Sequence, residues 1–318
     1  MHWDVNELKE KYNILHSLYQ RVNKPLIKKE IWNDMYTLNT MIVLYDKGFD
    51  KKIDPIYSPA EDKQCRDYLL DKYDEIIKAL NEYYQIRMKN RRPENVVIED
   101  YDSLIKDFLN NYQPEIMPVY NNLVENNHLE LNTKKDFEPS YNGLCLYNST
   151  FNEYYVFARY NGKILSSLYL PHELGHAYQA NQVEIVRDFD EKRSSWFVEV
   201  YSTYLEQLFF HYLKEKGYNK QAYYLEKGFW THFINDVEYQ MMLILNTDLF
   251  LNSHCFTYII SKLVSMIAYN DFLKHNNHKM INEFNNIFLN GSDYDIVNEY
   301  KLSRILHAGY DSLDRLIK

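Results

Sequence analysis

The stretch SSLYLPHELGHAYQAN, residues 166–181, governs how the rest of the chain is interpreted. His172 and His176 are four residues apart in it, and Glu173 directly follows the first histidine. On an α-helix, residues four apart lie on the same face, so both imidazoles can reach one ion. Glu173 lies about 100° around the helix and would sit beside that ion rather than on it. The spacing is that of a metal-binding helix.

The order of these residues, H-E-x-x-H, is the pattern of zinc proteases in which the glutamate polarises a metal-bound water. The same pattern also occurs by chance in ordinary helices, where the histidines have no ligand. The motif alone therefore leaves both interpretations open, and a third ligand on another element is needed to separate them.

The segment SSWFVEVYSTYLEQLFF, residues 194–210, offers two acidic residues, Glu199 and Glu206. They are seven residues apart, two helical turns, so they share one face of an otherwise apolar and aromatic helix. A carboxylate among such residues is costly to bury unless it is paired or coordinated. We therefore expect Glu199 to be the third ligand and Glu206 to hydrogen-bond a ligand histidine. The alternative is that both acids lie on a solvated face.

Composition narrows the class of protein. The 318 residues carry a net charge of −9, which argues against binding a nucleic-acid backbone, and 46% are hydrophobic, enough for a packed core.

The chain begins without an apolar signal segment, and no apolar run approaches the roughly 20 residues of a membrane span. Three widely spaced cysteines indicate a reducing compartment. We expect a soluble, cytoplasmic protein. The cysteines are Cys65, Cys145 and Cys255.

Hydrophobic periodicity predicts a mainly helical chain with one β-hairpin. β-Branched and aromatic residues cluster at 140–162, where GLCLY and EYYVFARY flank a turn, as in a hairpin. From 163 onward the pattern is helical, with an interruption at 289–295. The other predictions are helices at 3–22, 25–47, 59–88 with Ser58 as N-cap, and 98–126, and a break at 51–64.

Together, HELGHAYQ at 172–179 and WFVEVYSTYLEQ at 196–207 resemble the thimet oligopeptidase and oligoendopeptidase F family of zinc metallopeptidases. The segment FLNGSDYDIVNEYKLSRILHAGYDS at 288–312 is similar to the closing segment of that family. The resemblance covers roughly residues 100–318 of what would be a shortened member. It implies a mainly α, gluzincin-like catalytic domain with a small β-hairpin before the H-E-x-x-H helix. We expect an N-terminal helical region at 1–98 and a catalytic domain at 99–318, packed as one unit.

The resemblance also implies roles for individual residues. One zinc ion per chain would be held by His172, His176 and Glu199, with Glu173 as general base. The oxyanion would be stabilised by Tyr258, or by His254 one turn earlier, both in SHCFTYIISKLVS at 253–265. The peptide substrate would contact Gly143 and Tyr155 in the hairpin.

The sequence departs from the family pattern at two residues and in its length. Gln179 stands where the family usually has a third histidine, and Pro171 precedes His172 where a helical residue is expected. The helix therefore either starts within a turn of Pro171, capped by Ser166 or Ser167, or kinks there. Because the chain is short, we also expect an open groove with loose discrimination of substrate length.

Three functions follow from these patterns. The first is a zinc-dependent endopeptidase or oligopeptidase acting on peptides. The second is a binding or regulatory protein on a catalytically degenerate peptidase scaffold. The third is an unrelated helical interaction protein with an accidental motif. The intact set of His172, Glu173, His176 and Glu199 favours the first, because degenerate enzymes commonly lose a ligand or the base.

Overall fold

The structure is a computed structural model that describes residues 5–22, 93–132, 142–148, 153–182, 195–246 and 253–290, with isolated positions between 31 and 78. The break at 51–64, the cap at Ser58 and the C-terminal segment beyond 290 lie outside these residues. The predicted helices at 25–47 and 59–88 are described only at isolated positions, and each of those is helical.

The described chain is mainly helical with one small sheet, which confirms the predicted fold class. The helices are α1 (Val5–Arg21), α2 (Tyr101–Tyr112), α3 (Met117–Glu125), α4 (Tyr169–Gln182), α5 (Ser195–Glu215), α6 (Asn219–Asn246), α7 (Ser253–His275) and α8 (Lys279–Asn290). Short 3₁₀ helices lie at Pro114–Ile116 and Ile164–Ser166. The strands are β1 (Leu129–Asn132), β2 (Gly143–Asn148) and β3 (Glu153–Arg159).

The sheet has three strands in the order β1-β3-β2. Strands β2 and β3 form the predicted antiparallel hairpin, with Gly143 opposite Ala158. Strand β1 runs parallel to β3 with Leu129 opposite Val156, and it was not predicted. It has only four residues, LELN, so its period-2 signal is too short to distinguish from a loop.

The predicted helix at 98–126 is in fact two helices. Asp100 caps α2 by accepting a 3.0 Å hydrogen bond from the Ser103 N–H. At Gln113 the backbone leaves the helical region, with φ −145° and ψ 64°. The cause is Pro114, which disfavours helical geometry in the residue before it. A 3₁₀ turn follows, and α3 then starts at Met117.

Helix α4 begins at Tyr169, so Pro171 lies in its first turn, where a missing N–H breaks no intrahelical bond. The expectation of a start within one turn of Pro171 is confirmed. The expected caps are wrong. Ser167 Oγ donates to the Ile164 carbonyl at 2.5 Å, and Ser166 Oγ to the Lys163 carbonyl at 2.8 Å. Both serines therefore stabilise the 3₁₀ turn before α4.

The core is built around α5, which packs against α4, α6 and α7. Leu205, Leu208 and Phe209 of α5 have no exposed surface, and Phe209 meets Phe108 edge-to-face with ring centroids 5.1 Å apart. A second apolar cluster joins α1 to the outer face of β3. Within the described residues, no helix has the length and apolar character needed to cross a membrane.

A buried hydrogen-bond chain fastens the segment before α8 to the core. Tyr201 Oη donates to Gln113 Oε1 at 2.5 Å, which orients the amide so that its Nε2 donates to His278 Nδ1 at 2.8 Å. Tyr204 Oη lies 2.8 Å from the same nitrogen. With the amide in this orientation His278 Nδ1 accepts, which is the role it has in the neutral imidazole.

This arrangement predicts a loss of stability in mild acid. Burial lowers the pKa of His278 below its ordinary value of 6.5. As the pH falls below that value, the unfolded chain takes up a proton more readily than the folded chain, so the free energy of unfolding decreases. We expect His278→Gln to flatten the pH dependence of urea unfolding between pH 7 and pH 5. His232→Gln, on the exposed face of α6, controls for the loss of one imidazole. Identical slopes for His278→Gln and the parent would refute this explanation.

Candidate metal centre

Close packing of α4 on α5 brings the candidate ligands together. A Cβ atom at Gly175 would lie 2.8 Å from both Cα and Oγ of Ser202, so only glycine permits this approach. Gly175 lies between the two histidines on α4, and Ser202 follows Glu199 by about one turn on α5. The contact therefore sets the separation of the two helices at the level of the candidate site.

The ligand atoms have the spacing that zinc requires. Glu199 Oε2 lies 3.5 Å from His172 Nε2 and 3.5 Å from His176 Nε2. The two Nε2 atoms are 3.2 Å apart. Tetrahedral zinc with bonds of about 2.0–2.1 Å places neighbouring ligand atoms about 3.3 Å apart. Among the described residues, these three form the group able to hold a metal ion, and their geometry fits zinc.

The charges around the cluster also favour a cation. Three carboxylates, those of Glu173, Glu199 and Glu206, surround two imidazoles. Burial lowers the pKa of His172, but the hydrogen bond to Glu206 and the charges of Glu206, Glu173 and Glu199 outweigh it and raise the pKa to about 10. The site thus attracts a proton strongly, and a divalent ion would satisfy the same excess of negative charge.

Glu206, predicted to bond a ligand histidine, has its Oε1 3.0 Å from His172 Nδ1. This contact leaves His172 Nε2 directed at Glu199 and the metal position. A carboxylate on the outer nitrogen fixes the tautomer and the ring orientation of a metal-binding histidine. Both residues are about 15% exposed, so the pair is largely shielded from water.

Glu173 lies on α4 against the start of β2. It is 7% exposed, and burial raises the pKa of its carboxyl, an effect partly offset by His172 and His176. A Cβ at Gly143 would overlap Glu173 Oε1 and lie 2.8 Å from its Cγ and Cδ. Gly143 was predicted as a substrate contact, and the structure shows that it makes room for the Glu173 side chain.

The other predicted site residues are not joined to the cluster by the contacts described. Tyr258 is half-buried on α7, with Lys262 Nζ 5.7 Å from its ring centroid, and its role as an oxyanion donor stays a prediction. His254 lies in the first turn of α7, and its side chain is outside the described residues. The role of Tyr155 as a substrate contact also stays a prediction. Tyr155 has no exposed surface and packs against His128 and Tyr19, with centroid distances of 4.0 and 5.0 Å.

Sequence reasoning missed the structural role of Gly175 and Ser202. The signal was present, because an isolated glycine inside a strongly helical pattern costs helix stability and usually has a packing reason. Its partner Ser202 could not be identified from the sequence, since the contact depends on how α4 and α5 are arranged in space.

Neither a protein-family model nor a curated protein sequence matches the chain. Solved structures do. A Bacillus anthracis (strain Ames) protein assigned to oligoendopeptidase F has a TM-score of 0.60 and 14% identity, over 91% of this chain and 62% of its own. The chain has the oligoendopeptidase F fold. A second protein assigned to oligoendopeptidase F has a TM-score of 0.57 and 13% identity, over 91% and 64% of the two chains.

PZ peptidase A, solved with an inhibitor, has the same TM-score of 0.57 and 13% identity, over 96% of this chain and 66% of its own. The chain therefore spans less than two-thirds of each structure that it resembles. The similarity to the oligoendopeptidase F fold extends beyond residues 100–318, the region in which the sequence motifs lie.

The Gly175–Ser202 contact predicts a specific sensitivity to a single methyl group. Gly175→Ala should force α4 and α5 apart, lower the free energy of unfolding by about 1–3 kcal/mol and weaken the binding of added zinc at the candidate site. Gly228→Ala is the matched control, because a Cβ there, on α6, meets no atom within 4 Å. Competition with a chromophoric chelator measures the zinc affinity. Equal affinities for the two variants would show that this contact does not set the ligand geometry.

Proposed function

We propose that this protein is a zinc-dependent endopeptidase or oligopeptidase that hydrolyses peptide bonds in peptides and carries one zinc ion per chain. The observation that supports this most directly is the placement of His172, His176 and Glu199 around one point, at distances of 3.2–3.5 Å, with Glu173 beside them. The oligoendopeptidase F fold supports the same proposal.

In this proposal the metal is held by His172, His176 and Glu199, and Glu173 transfers protons. Bound zinc would polarise the scissile carbonyl and lower the pKa of a water. A carboxylate oxygen of Glu173 accepts the proton of the attacking water and delivers it to the leaving amine nitrogen. Glu173 lies against Gly143 and is close enough to His172, His176 and Glu199 to interact with them electrostatically.

Strand β2 offers a route for binding the peptide. Within the described residues it pairs only with β3, and we propose that its other edge receives an added strand. Its first residue, Gly143, is in contact range of Glu173. A peptide extended along this edge would therefore pass next to the general base. Main-chain hydrogen bonds of this kind recognise peptides in general rather than one side chain.

The first test is cleavage of a mixed peptide library, analysed by mass spectrometry, with the zinc-loaded parent and with Glu173→Gln. We expect the substitution to reduce kcat by about 10²–10⁴-fold, because the amide cannot accept the proton, while zinc content stays the same. Glu115→Gln, a half-buried glutamate outside the cluster, serves as the control and should keep its activity.

Two outcomes would contradict the proposal in different ways. Cleavage that persists in Glu173→Gln would remove this residue from the mechanism. A parent that binds one zinc per chain and cleaves no peptide would favour a binding protein on a degenerate peptidase scaffold.

Gly143→Ala separates positioning of the base from metal binding. The added methyl would displace the Glu173 carboxylate, which is the flexible partner in the contact, and leave the three ligands in place. We expect kcat to fall by up to about 10²-fold, the effect of a displacement of about 1 Å, with unchanged zinc affinity. Gly228→Ala again provides the control. Unchanged kcat in Gly143→Ala would mean that Glu173 is not held by this strand.

A further inference from the structure

Gln179 is a buried amide on the same face of α4 as the two histidines. It follows His172 by seven residues and His176 by three, positions that lie one above the other on a helix. Its side chain is 2% exposed, and its Oε1 is inaccessible to water and has no hydrogen-bond partner. A buried acceptor without a donor is costly, so its presence calls for an explanation.

Two contacts between helices lie on either side of Gln179 along α4. Asn285 of α8 donates a 2.7 Å hydrogen bond to Gln182 Oε1, so α8 contacts the last turn of α4. The close contact between Gly175 and Ser202 leaves little space between α4 and α5. Gln179 lies between these two contacts in the chain. Its Oε1 is buried there without a partner.

The two histidines are supported unequally on their outer nitrogens. His172 Nδ1 has a carboxylate partner, Glu206 Oε1, at 3.0 Å. The contacts of His176 involve its Nε2 atom, which faces Glu199 and His172, and among the described residues its Nδ1 has no hydrogen-bond partner. When His176 ligates a metal through Nε2, its proton must reside on Nδ1, which then requires an acceptor.

We propose that Gln179 is a positioning residue whose Oε1 accepts the Nδ1–H of His176 when the metal is held. The inference rests on the proposed function, because it assumes that His176 is a metal ligand. It pairs His176 Nδ1, which has no partner among the described residues, with a buried acceptor that lacks a donor, one turn apart on the same helix face. Gln179 would then fix the tautomer and ring orientation of His176, as Glu206 does for His172.

The test measures zinc affinity by chelator competition in the parent, Gln179→Met and Gln179→Glu. Methionine has a similar length and no strong acceptor, so we expect it to weaken zinc binding by about 10–100-fold. Glutamate keeps an acceptor at the same place and should restore most of the affinity. A purely structural role for the amide would not produce this rescue.

Gln207→Met is the matched control for loss of a buried glutamine. Gln207 is also 2% exposed with a buried Oε1 that has no partner, but its Nε2 donates to Ser265 Oγ of α7 at 2.8 Å. Its replacement should lower stability and leave zinc affinity near that of the parent. Equal affinities for Gln179→Met and Gln207→Met would overturn the proposal.

A spectroscopic measurement on the zinc-loaded parent decides the question even if Gln179→Met does not fold. Long-range ¹H–¹⁵N correlation spectra should show His176 with a protonated Nδ1 whose proton exchanges slowly with water. Rapid exchange of that proton would refute the hydrogen bond. A parent that binds no zinc would instead refute the proposed function, and absence of peptide cleavage by the zinc-loaded parent would leave the affinity comparison valid.

Discussion

The candidate centre depends on the contact between Gly175 and Ser202. It lets two long helices approach so closely that side chains from both can surround one point, and no larger residue at 175 would allow this. The histidines come from α4 and the third candidate ligand, Glu199, comes from α5, so neither helix could form the cluster alone. The apolar burial of α5 among its neighbouring helices then holds the pair together against the repulsion of three carboxylates.

The small sheet contacts Glu173, whereas the candidate metal ligands lie on α4 and α5. Strand β3 is anchored on one face by α1, through ring contacts such as Tyr19 with Tyr155, and on the other face by the main core. In the described sheet β2 is an edge strand, and its first residue, Gly143, lies against Glu173. In the proposed function, metal ligation and proton transfer would therefore belong to residues fixed by different contacts, although His172 and Glu173 are neighbours in the chain.

Local spacing in the sequence was sufficient for the parts of the site that lie on single elements. His172, Glu173 and His176 share one helix, and Glu199 and Glu206 share another, so the 3.6-residue period places them correctly. The hairpin was predictable for the same reason. Strand β1 and the burial of Tyr155 were not, because both depend on which elements pack together. A tyrosine in a strand has the same sequence signal whether its face meets solvent or α1.

The two acids of α5 illustrate how burial decides between the interpretations that the sequence left open. On a solvated face, Glu199 and Glu206 would carry no functional information. In the structure each is about 16% exposed and each is directed at a histidine, through 3.5 Å and 3.0 Å contacts. Three carboxylates and two imidazoles in so dry a place would be unstable without a counter-charge, since buried charges must be paired or coordinated. A protonated His172 supplies one positive charge, whereas a divalent ion held by His172, His176 and Glu199 would supply two.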